Sequence, residues 1–548
     1  MLIWKQWFRS WTRNFTGNEN NGILQDIMVN FQDKNVIMVV LDTHRFDRIG
    51  AYGYQRPTTP NLDHFASESL FFEQAIAPGQ WTIPSHASLF SGEMPAVHRT
   101  LQADDALPRE FQTLADRLAK AGIQTTGFCN NPLVGIVQNG FKRGFNQFYN
   151  YCGVVPSTPQ KEQDDILKPF RKLWSKYTQI LRRLSYPIQN AFASPNEFFL
   201  GALRPLFVPM WTRAANFKGN TSRSIKETAS FIRQIEEKSK GGHFVFLNLM
   251  ETHMPYTPPD SFTKKFVPYL HETPEAEHYI RDFNRRAMQW LIPLSEPLND
   301  IESATLSDMY DAEVAYQDHL LADLISALAS DYHRDHSLVI FLADHGEMLG
   351  EHGYMGHGFG LHEELIRVPL FMRLPELANG GRVEKRVSIT QLFYTVLDYF
   401  GFESIKMPYA DEVDIGCQSL LRMASPEYCG PTHLISEAYS PENAIRIMRN
   451  HAPGLIDQYH ANLTHRAVYD GWDKMIEIEG ISSLMYDLAD DPHEFNPYQD
   501  VIKIQKLGKF LEKYLETSAS RRIGSTKRKI SLKDEMIQQR LRDLGYIE

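Results

Sequence analysis

The chain has 548 residues, of which 43% are hydrophobic and 23% are charged. This is the composition of an ordinary globular protein, and it excludes the collagen-like, low-complexity and wholly disordered classes. Lysine and arginine together number 57 against 67 aspartates and glutamates, so the net charge of −10 supplies no overall field that attracts nucleic acid. We therefore expect a folded protein without a nucleic-acid partner.

The cysteines and the N-terminal segment bear on the cellular compartment. The four cysteines are too few and too scattered for a disulfide scaffold, and none has C-x-x-C spacing, which favours a reducing compartment. Neither a secretory signal nor an apolar run of about 20 residues is apparent. Residues 1–15 interleave tryptophan and phenylalanine with lysine and arginine at helical spacing, which is typical of a helix at a membrane surface or of one packed on the protein body. We expect a cytoplasmic protein, with peripheral membrane contact through residues 1–15 as an open alternative.

Four short apolar runs, each followed by a polar residue, predict buried parallel strands. They are NVIMVVLD ending at Asp42, IQTTGFCNN, HFVFLNLMETH reaching His253, and SLVIFLADH reaching Asp344 and His345. Helical patterns at 110–122 and 309–330 precede the second and fourth runs. This alternation predicts a doubly wound, mostly parallel α/β sheet whose ligand crevice lies beyond the carboxyl ends of its strands.

Composition divides the rest of the chain. Residues 153–217 and 260–305 are rich in proline, aromatic and charged residues with only short helical patterns, so we interpret them as insertions over the sheet edge. Past residue 410, alternating runs joined by turns predict a small antiparallel sheet. The predicted domains are an amphipathic segment at 1–33, an α/β domain at 34–410, a C-terminal subdomain at 411–515, and a basic linker with a terminal helix at 516–548.

The segment LADHGEMLGEHGYMGHG offers candidate metal ligands. Asp344 and His345 end a predicted strand, and a carboxylate beside an imidazole suits a divalent ion such as Zn²⁺ or Mn²⁺. An adjacent Asp-His pair is equally typical of a structural hydrogen bond, so both interpretations remain open on this segment alone. His352 and His357 follow in the glycine-rich loop, where His352 either orients the loop or contacts a ligand.

The segment GQWTIPSHASLFSG predicts a short helix, since Pro84 suits its first turn and Gly92 suits its end. Thr82 then comes just ahead of the helix N-terminus, where unpaired backbone N–H groups and the helix dipole favour an anion. Its hydroxyl could attack a phosphate or sulfate ester, or it could only cap the helix. A metal ion at the neighbouring strand ends would lower the pKa of this hydroxyl, which favours the first interpretation.

Several longer blocks occur in a fixed order along residues 34–410. They are VVLDTHRFDRIGAYGYQRPTTPNLDHFASESLFFEQAIAP, WTIPSHASLFSGEMP, FLNLMETHMPYTPP, YDAEVAYQDHLLADLI, FLADHGEMLGEHGYMGHG and IRVPLFMRLPE, with LMYDLADDPHEFN and RLRDLGYIE nearer the C-terminus. In these blocks the chain resembles the sulfatases, within the alkaline phosphatase superfamily. The resemblance implies an α/β fold with a metal-centred site that hydrolyses esters or transfers groups, and a small C-terminal sheet domain.

The resemblance also implies roles for individual residues. Metal ligands would be Asp42, Asp344, His345 and the nucleophile itself, Thr82. His86 stands where the C-x-P-S-R signature has arginine, His253 matches a substrate-contacting histidine, and His357 lies near the position where many sulfatases have lysine. The implied catalytic residues are therefore Thr82, His86, His253 and His357.

Three residues depart from the family pattern. The usual second N-terminal aspartate is Thr43, which removes one carboxylate ligand and points to a single-metal site. The nucleophile position holds Thr82, which cannot be converted to the formylglycine aldehyde that sulfate-ester cleavage uses in this family. His86 replaces a permanently charged guanidinium by a titratable imidazole. The chain thus resembles a formylglycine-independent branch.

These departures favour phosphorus over sulfur, because phosphoethanolamine and phosphoglycerol transferases of the same superfamily use a metal-bound threonine. We expect a metal-dependent hydrolase or group transferase that acts on phosphoester or phosphodiester bonds of a small-molecule or lipid-like substrate, with Thr82 as the metal-activated nucleophile. The alternatives are a sulfuric ester hydrolase and a non-catalytic binding protein that retains the fold. The expected cofactor is a divalent metal ion (Mn, Zn, Mg or Ca).

Overall fold

The computed structural model describes residues 34–152, 218–238, 241–286, 291–375, 380–425 and 428–523. The predicted N-terminal segment 1–33, the predicted insertion 153–217 and the predicted terminal helix after residue 523 lie outside the described residues.

The strands of the described part are, in chain order, β1 (Asn35–Leu41), β2 (Leu70–Phe72), β3 (Ala75–Ile76), β4 (Gln124–Cys129), β5 (Gln147–Asn150), β6 (His243–Leu249), β7 (Ser337–Leu342), β8 (Met348–Leu349), β9 (Met355–Gly356), β10 (Arg367–Val368), β11 (Leu370–Arg373), β12 (Gly381–Val383), β13 (Val387–Ser388), β14 (Ser404–Met407), β15 (Ala410–Asp414), β16 (Leu434–Ala438), β17 (His465–Asp470), β18 (Asp473–Ile478) and β19 (Ser482–Asp487).

The α-helices of the described part are, in chain order, α1 (Pro60–Ser67), α2 (Thr82–Ser91), α3 (Pro95–His98), α4 (Leu114–Lys120), α5 (Pro132–Gly135), α6 (Thr221–Lys238), α7 (Asp260–Phe266), α8 (Pro274–Arg285), α9 (Asp300–Leu328), α10 (Asp331–His336), α11 (Glu363–Ile366), α12 (Leu392–Tyr399), α13 (Glu442–His451), α14 (Gly454–Gln458) and α15 (Val501–Arg521).

The central sheet has the strand order β12-β2-β11-β7-β1-β6-β4-β5. The four strands expected from the apolar runs are neighbours in it. β1 pairs in parallel with both β6 and β7, and β4 pairs in parallel with β6. Only towards one edge does the direction change, where β11 pairs antiparallel with β7 and with β2. The predicted α/β fold with a mostly parallel sheet is confirmed.

Both faces of the sheet are covered by helices, which explains why β1 is apolar at every position after Asn35. Successive side chains of a strand point to opposite faces, so its residues alternate between two hydrophobic clusters. One cluster includes residues of α2 and α12, and the other includes residues of α6 and α9. The β1 residues of the first cluster are Val36, Met38 and Val40, and those of the second are Ile37, Val39 and Leu41.

The two predicted helices exist with different ends, and capping boxes explain the difference. The helix predicted at 309–330 begins much earlier, because the side chain of Asn299 accepts a hydrogen bond from the N–H of Glu302, whose carboxylate in turn accepts from the N–H of Asn299. The helix predicted at 110–122 begins only at Leu114, after a capping box that Thr113 makes.

The predicted insertion at 260–305 packs as part of the body. It contains α7, α8 and the first turn of α9, in agreement with the expected short helices. Their apolar side chains form a third hydrophobic cluster that also includes Met254 and Tyr256, from the loop after β6. The segment therefore supports the loop that carries His253.

The predicted C-terminal antiparallel sheet is present as β16-β17-β18-β19. Its neighbour α15 runs to Arg521, past the predicted boundary at residue 515, and the hairpin β14-β15 spans the predicted boundary at residue 410. The sheet also adjoins the α/β part of the chain, because the N–H of Glu437 donates to the carbonyl of Pro78 at 3.0 Å and Gly79 forms a bridge with Glu437.

The cysteines require a correction. Cys417 and Cys429 form a disulfide with a Cα–Cα distance of 4.7 Å, while Cys129 and Cys152 are buried thiols. One disulfide is not a disulfide scaffold, but disulfides are rare in reducing compartments, so this pair removes the support for the compartment expected from the sequence. Within the described ranges, none of the helices combines the length and the apolar character needed to cross a membrane.

Candidate active site

The candidate site lies at the carboxyl ends of three adjacent parallel strands. Asp42 follows β1, Asp344 and His345 follow β7, and His253 lies in the loop after β6. The N–H of Asp42 continues the ladder by donating to the carbonyl of Leu249 at 2.9 Å. Residues from distant parts of the sequence meet here because the carboxyl ends of parallel strands share one edge of the sheet.

Asp42, Asp344 and His345 form the group of candidate metal ligands that the described residues contain. One ligand atom from each residue lies within 4.8 Å of the others, and all three side chains are buried. Nε2 of His345 is 3.4 Å from Oδ2 of Asp344 and 3.9 Å from Oδ1 of Asp42. Among the described residues, Oδ1 of Asp42 has no hydrogen-bond partner, and Oδ2 of Asp344 faces Nδ1 of His86 at 3.3 Å. Two carboxylates and one imidazole are a donor set that suits a divalent cation.

Electrostatics at this group agree with a site for a cation. Burial and the neighbouring Asp344 carboxylate raise the pKa of Asp42 well above its usual range. Burial also opposes ionisation of Asp344, but His345 and a hydrogen bond from His86 outweigh it and lower the pKa of Asp344 to about 2. Burial lowers the pKa of His345 to about 4, so its ring is a neutral ligand near pH 7.

Thr82 is placed differently from the prediction. It is the first residue of α2 and not the residue ahead of it, and the N-cap is Trp81, whose side chain makes no capping hydrogen bond. The Oγ1 atom of Thr82 is instead 3.3 Å from Nε2 of His345. The hydroxyl is therefore turned towards the candidate metal ligands, and the capping interpretation does not describe its contacts.

His86 lies one turn further along α2 and faces the same carboxylate. Its Nδ1 is 3.1 Å from the carbonyl oxygen of Thr82 and 3.3 Å from Oδ2 of Asp344, and its Nε2 is 3.4 Å from the side-chain nitrogen of Asn248. Its ring is fully buried. The resemblance gave this position to an arginine, whereas the imidazole here contacts a candidate metal ligand.

His253 and His357 lie beside the candidate ligands. The ring centroid of His357 is 4.9 Å from that of His253 and 4.8 Å from that of His345. Burial, with a smaller effect of His357, lowers the pKa of His253 to about 3, and burial lowers the pKa of His357 to about 4. Near pH 7 each ring is neutral, so each offers one N–H donor and one acceptor nitrogen.

Thr43 and His352 complete the residues considered from the sequence. The backbone of Thr43 is left-handed, with φ of 60°, and its N–H lies 3.4 Å from Oδ1 of Asp344. Its hydroxyl donates to the carbonyl of Asp42 at 2.6 Å. His352 stacks on His362 with a centroid distance of 3.8 Å, apart from the candidate metal ligands, so its contacts favour the role of orienting the loop.

Three polar side chains of the site were missed. Asn131 donates to Oδ2 of Asp42 at 2.6 Å, and Asn248 approaches the same oxygen at 3.5 Å. Glu347 is fully buried beside His357, and burial raises its pKa to about 7. A signal existed for both asparagines, because Asn131 closes one predicted strand and Asn248 interrupts the apolar run of another.

Comparisons with known proteins agree with this arrangement. A family model described as Sulfatase matches residues 34–402. The uncharacterized sulfatase YidJ of Escherichia coli K12 is 22% identical over 66% of this chain and 67% of its own length, and an arylsulfatase of Clostridium perfringens is 22% identical over 67% and 74%. The crystal structure of phosphonate monoester hydrolase of Agrobacterium radiobacter is similar in fold, with a TM-score of 0.58, 20% identity, and coverage of 89% of this chain and 96% of that one.

Proposed function

This chain belongs to the sulfatase family, and we propose that it is a metal-dependent hydrolase or group transferase acting on phosphoester or phosphodiester bonds, with Thr82 as its nucleophile. The family and its relatives support an enzyme of the ester-hydrolase type. The observation that carries the proposal is the buried Thr82 hydroxyl, 3.3 Å from Nε2 of His345 at the start of α2.

Asp42, Asp344 and His345 would hold the metal ion, with Thr82 as a fourth ligand. The two buried carboxylates, of which Asp42 has an Oδ1 without a hydrogen-bond partner among the described residues, and the neutral imidazole fit Mn, Zn, Mg or Ca. A divalent cation there would lower the pKa of the Thr82 hydroxyl and offset negative charge on the substrate oxygens. Asn131 would orient the Asp42 carboxylate from the far side.

The other groups of the chain would bind and orient the ester. The N-terminal turn of α2, a helix of ten residues, would present backbone N–H groups to the substrate oxygens. His253 and His357 would line the site of the ester, and the unprotonated Nε2 of His357 would accept a hydrogen bond from the attacking water or alcohol. The Thr82 oxygen would bond to phosphorus as the leaving alcohol departs with a proton, and water or another alcohol would then take the phosphoryl group and restore the hydroxyl.

Phosphorus is favoured over sulfur because of the nucleophile. A threonine cannot give the aldehyde whose hydrate expels sulfate by C–O cleavage, whereas a phosphothreonine can be hydrolysed in line at phosphorus. A sulfuric ester hydrolase is the second candidate, favoured by the sulfatases among the relatives. We further propose that the substrate is a small-molecule or lipid-like ester.

A matched substrate panel tests the proposal. Purified protein is stripped of metal, reloaded separately with each of the four ions, and assayed on 4-nitrophenyl esters of phosphate, a phosphodiester, a phosphonate and sulfate. We expect kcat/KM for the phosphodiester or phosphonate to exceed that for the sulfate by about 10-fold or more, which is about 1.4 kcal/mol in the barrier. A preference for the sulfate ester would overturn the assignment to phosphorus. Metal binding without turnover of any ester would favour the non-catalytic alternative.

A further inference from the structure

Glu347 and His357 face each other across a short hairpin. Strands β8 and β9 are antiparallel, and Met348 is paired with Gly356. One step outward along both strands brings Glu347 opposite His357, where Oε1 of the carboxylate lies 2.8 Å from Nδ1 of the ring. The register of the hairpin, and not the chain sequence around either residue, brings this pair together.

Among the described residues, His357 is the hydrogen-bond partner of the Glu347 carboxylate at Oε1, and Oε2 has none. Both residues are buried, with exposed fractions of 0% for Glu347 and 2% for His357. Arg45 donates to the main-chain oxygen of Glu347 at 3.1 Å, while its own charge is paired with Asp47 and Glu351. Arg45 therefore holds the backbone of Glu347 through this hydrogen bond, while its ion pairs are made with other carboxylates.

We propose that Glu347 is a positioning residue that holds His357 in one tautomer. In its ionised form the carboxylate accepts the hydrogen bond from Nδ1–H, so Nε2 is the nitrogen that remains for the substrate, in a ring whose centroid lies 4.9 Å from that of His253 and 4.8 Å from that of His345. A carboxylate behind an imidazole fixes both the orientation of the ring and the position of its proton. The inference rests on the proposed function only for the contact between His357 and the ester.

A double-mutant cycle separates positioning from a structural role. Glu347→Gln keeps the size of the side chain but offers an N–H to Nδ1, which favours the wrong tautomer. We expect kcat for the phosphodiester to fall by about 100-fold with KM changed by less than about 3-fold. In a His357→Ala background the same change should cost less than about 3-fold, because the ring it acts on is gone. Equal losses in both backgrounds, or no loss in either, would overturn the inference.

The tautomer itself is measurable without any activity. In zinc-loaded protein with ¹⁵N-labelled histidine, the difference between the spectra of wild type and His357→Ala identifies the His357 nitrogens. We expect a protonated Nδ1 in wild type and a shift towards protonated Nε2 in Glu347→Gln, with the signals of the buried His333, bonded to Ser337, unchanged. The same tautomer in both proteins would refute the inference even if the phosphodiester is not a substrate.

A control variant tests whether neutralising any buried carboxylate, through an effect on folding, would lower kcat. Asp398→Asn also neutralises a buried carboxylate, one that pairs with Arg422 at 2.7 Å in α12, away from the candidate site. It should leave kcat and the His357 signals unchanged. If Glu347→Gln proved unfolded by thermal denaturation, Glu347→Asp would replace it, since a carboxylate that no longer reaches Nδ1 should lower kcat in the same way.

Discussion

The Oγ1 atom of Thr82 lies 3.3 Å from Nε2 of His345, although 263 positions separate the two residues. Thr82 comes from the start of α2, and His345 follows the end of β7. The contact joins the proposed nucleophile to a candidate metal ligand. Removal of the hydroxyl should therefore affect turnover more than stability.

Thr82→Ala should abolish turnover while leaving the protein folded. Loss of a true N-cap costs about 1–2 kcal/mol, but the Thr82 hydroxyl makes no capping bond, so the free energy of unfolding should change by less than that. Thr82→Ser keeps the hydroxyl and should retain turnover. Steady-state rates and thermal unfolding of the three proteins provide the measurement. A wild-type rate in Thr82→Ala would show that the nucleophile has been misassigned.

Asp42→Asn should remove the metal-dependent part of the stability. A ligand at 100 times its Kd stabilises the native state by about 2.7 kcal/mol, and the variant should lose most of this gain. Without metal the variant should be at least as stable as wild type, because burial and Asp344 both oppose ionisation of Asp42. Thermal unfolding during a titration with Mn²⁺ or Zn²⁺ measures both effects. An equal metal-induced rise in Tm for the two proteins would contradict the ligand role.

His86→Ala should weaken metal binding more than substrate binding. The imidazole contacts Oδ2 of Asp344 at 3.3 Å, so its loss should lower metal affinity by about 10–100-fold. At saturating metal, KM should stay within about 3-fold of wild type, since a group behind a ligand orients the ligand and not the ester. Isothermal titration with metal and kinetics at several metal concentrations test this. A large rise in KM at saturating metal would instead support the substrate-contacting role that the resemblance implied.

Stability should fall as the pH rises from about 5 to 8, with a contribution from Glu494. Lys474 faces two buried carboxylates, at 3.0 Å from Glu363 and 2.7 Å from Glu494. Burial opposes ionisation of Glu363, but Lys474 outweighs it and lowers its pKa to about 2, whereas burial raises the pKa of Glu494 to about 8. One lysine charge neutralises one carboxylate, so the other keeps its proton.

The sign follows from the proton count. Between the usual pKa of about 4.5 and the native value of about 8, the native state binds more protons at Glu494 than the unfolded state, so raising the pH destabilises the protein. Glu494→Gln should remove a loss of about 3 kcal/mol between pH 6 and pH 9. Urea unfolding at both pH values measures it, with the exposed Glu512→Gln as the control. An identical pH dependence in wild type and Glu494→Gln would rule out this contribution.

The central strands could be predicted from the sequence because β1 and its neighbours β6 and β7 are buried on both faces and are therefore mostly apolar. The ends of the helices were predicted less accurately from the sequence. The residue types of the Asn299 capping box indicated a helix start, but they lay outside the apolar pattern from which the helix was predicted. For α2, the prediction was one residue off, because the N-cap is Trp81 and Thr82 is the first helical residue. Strand ends located Asp42 and Asp344, since polar residues after apolar runs mark that edge of a parallel sheet.

The rest of the site depends on contacts that residue types do not specify. Glu347 meets His357 only through the register of a hairpin with two residues in each strand, and its signal is limited to the glycines of its tip, among them Gly350 and Gly353, both with positive φ. His86 occupies a position that the resemblance gave to arginine, so its contact with Asp344 could be found only from coordinates.

The bridge between Gly79 and Glu437 has a consequence for how the molecule can be divided. The segment that leads into α2 is bonded to strand β16, and Gln80 donates to the carbonyl of Tyr439 at 2.9 Å. The subordinate sheet is thus a scaffold for the entry of the helix that begins at Thr82. Removal of the chain from residue 434 onward should disable the candidate site, although Thr82, Asp42 and the Asp344–His345 pair all precede that residue. In the intact protein, the α/β part and the C-terminal sheet should unfold in one cooperative transition.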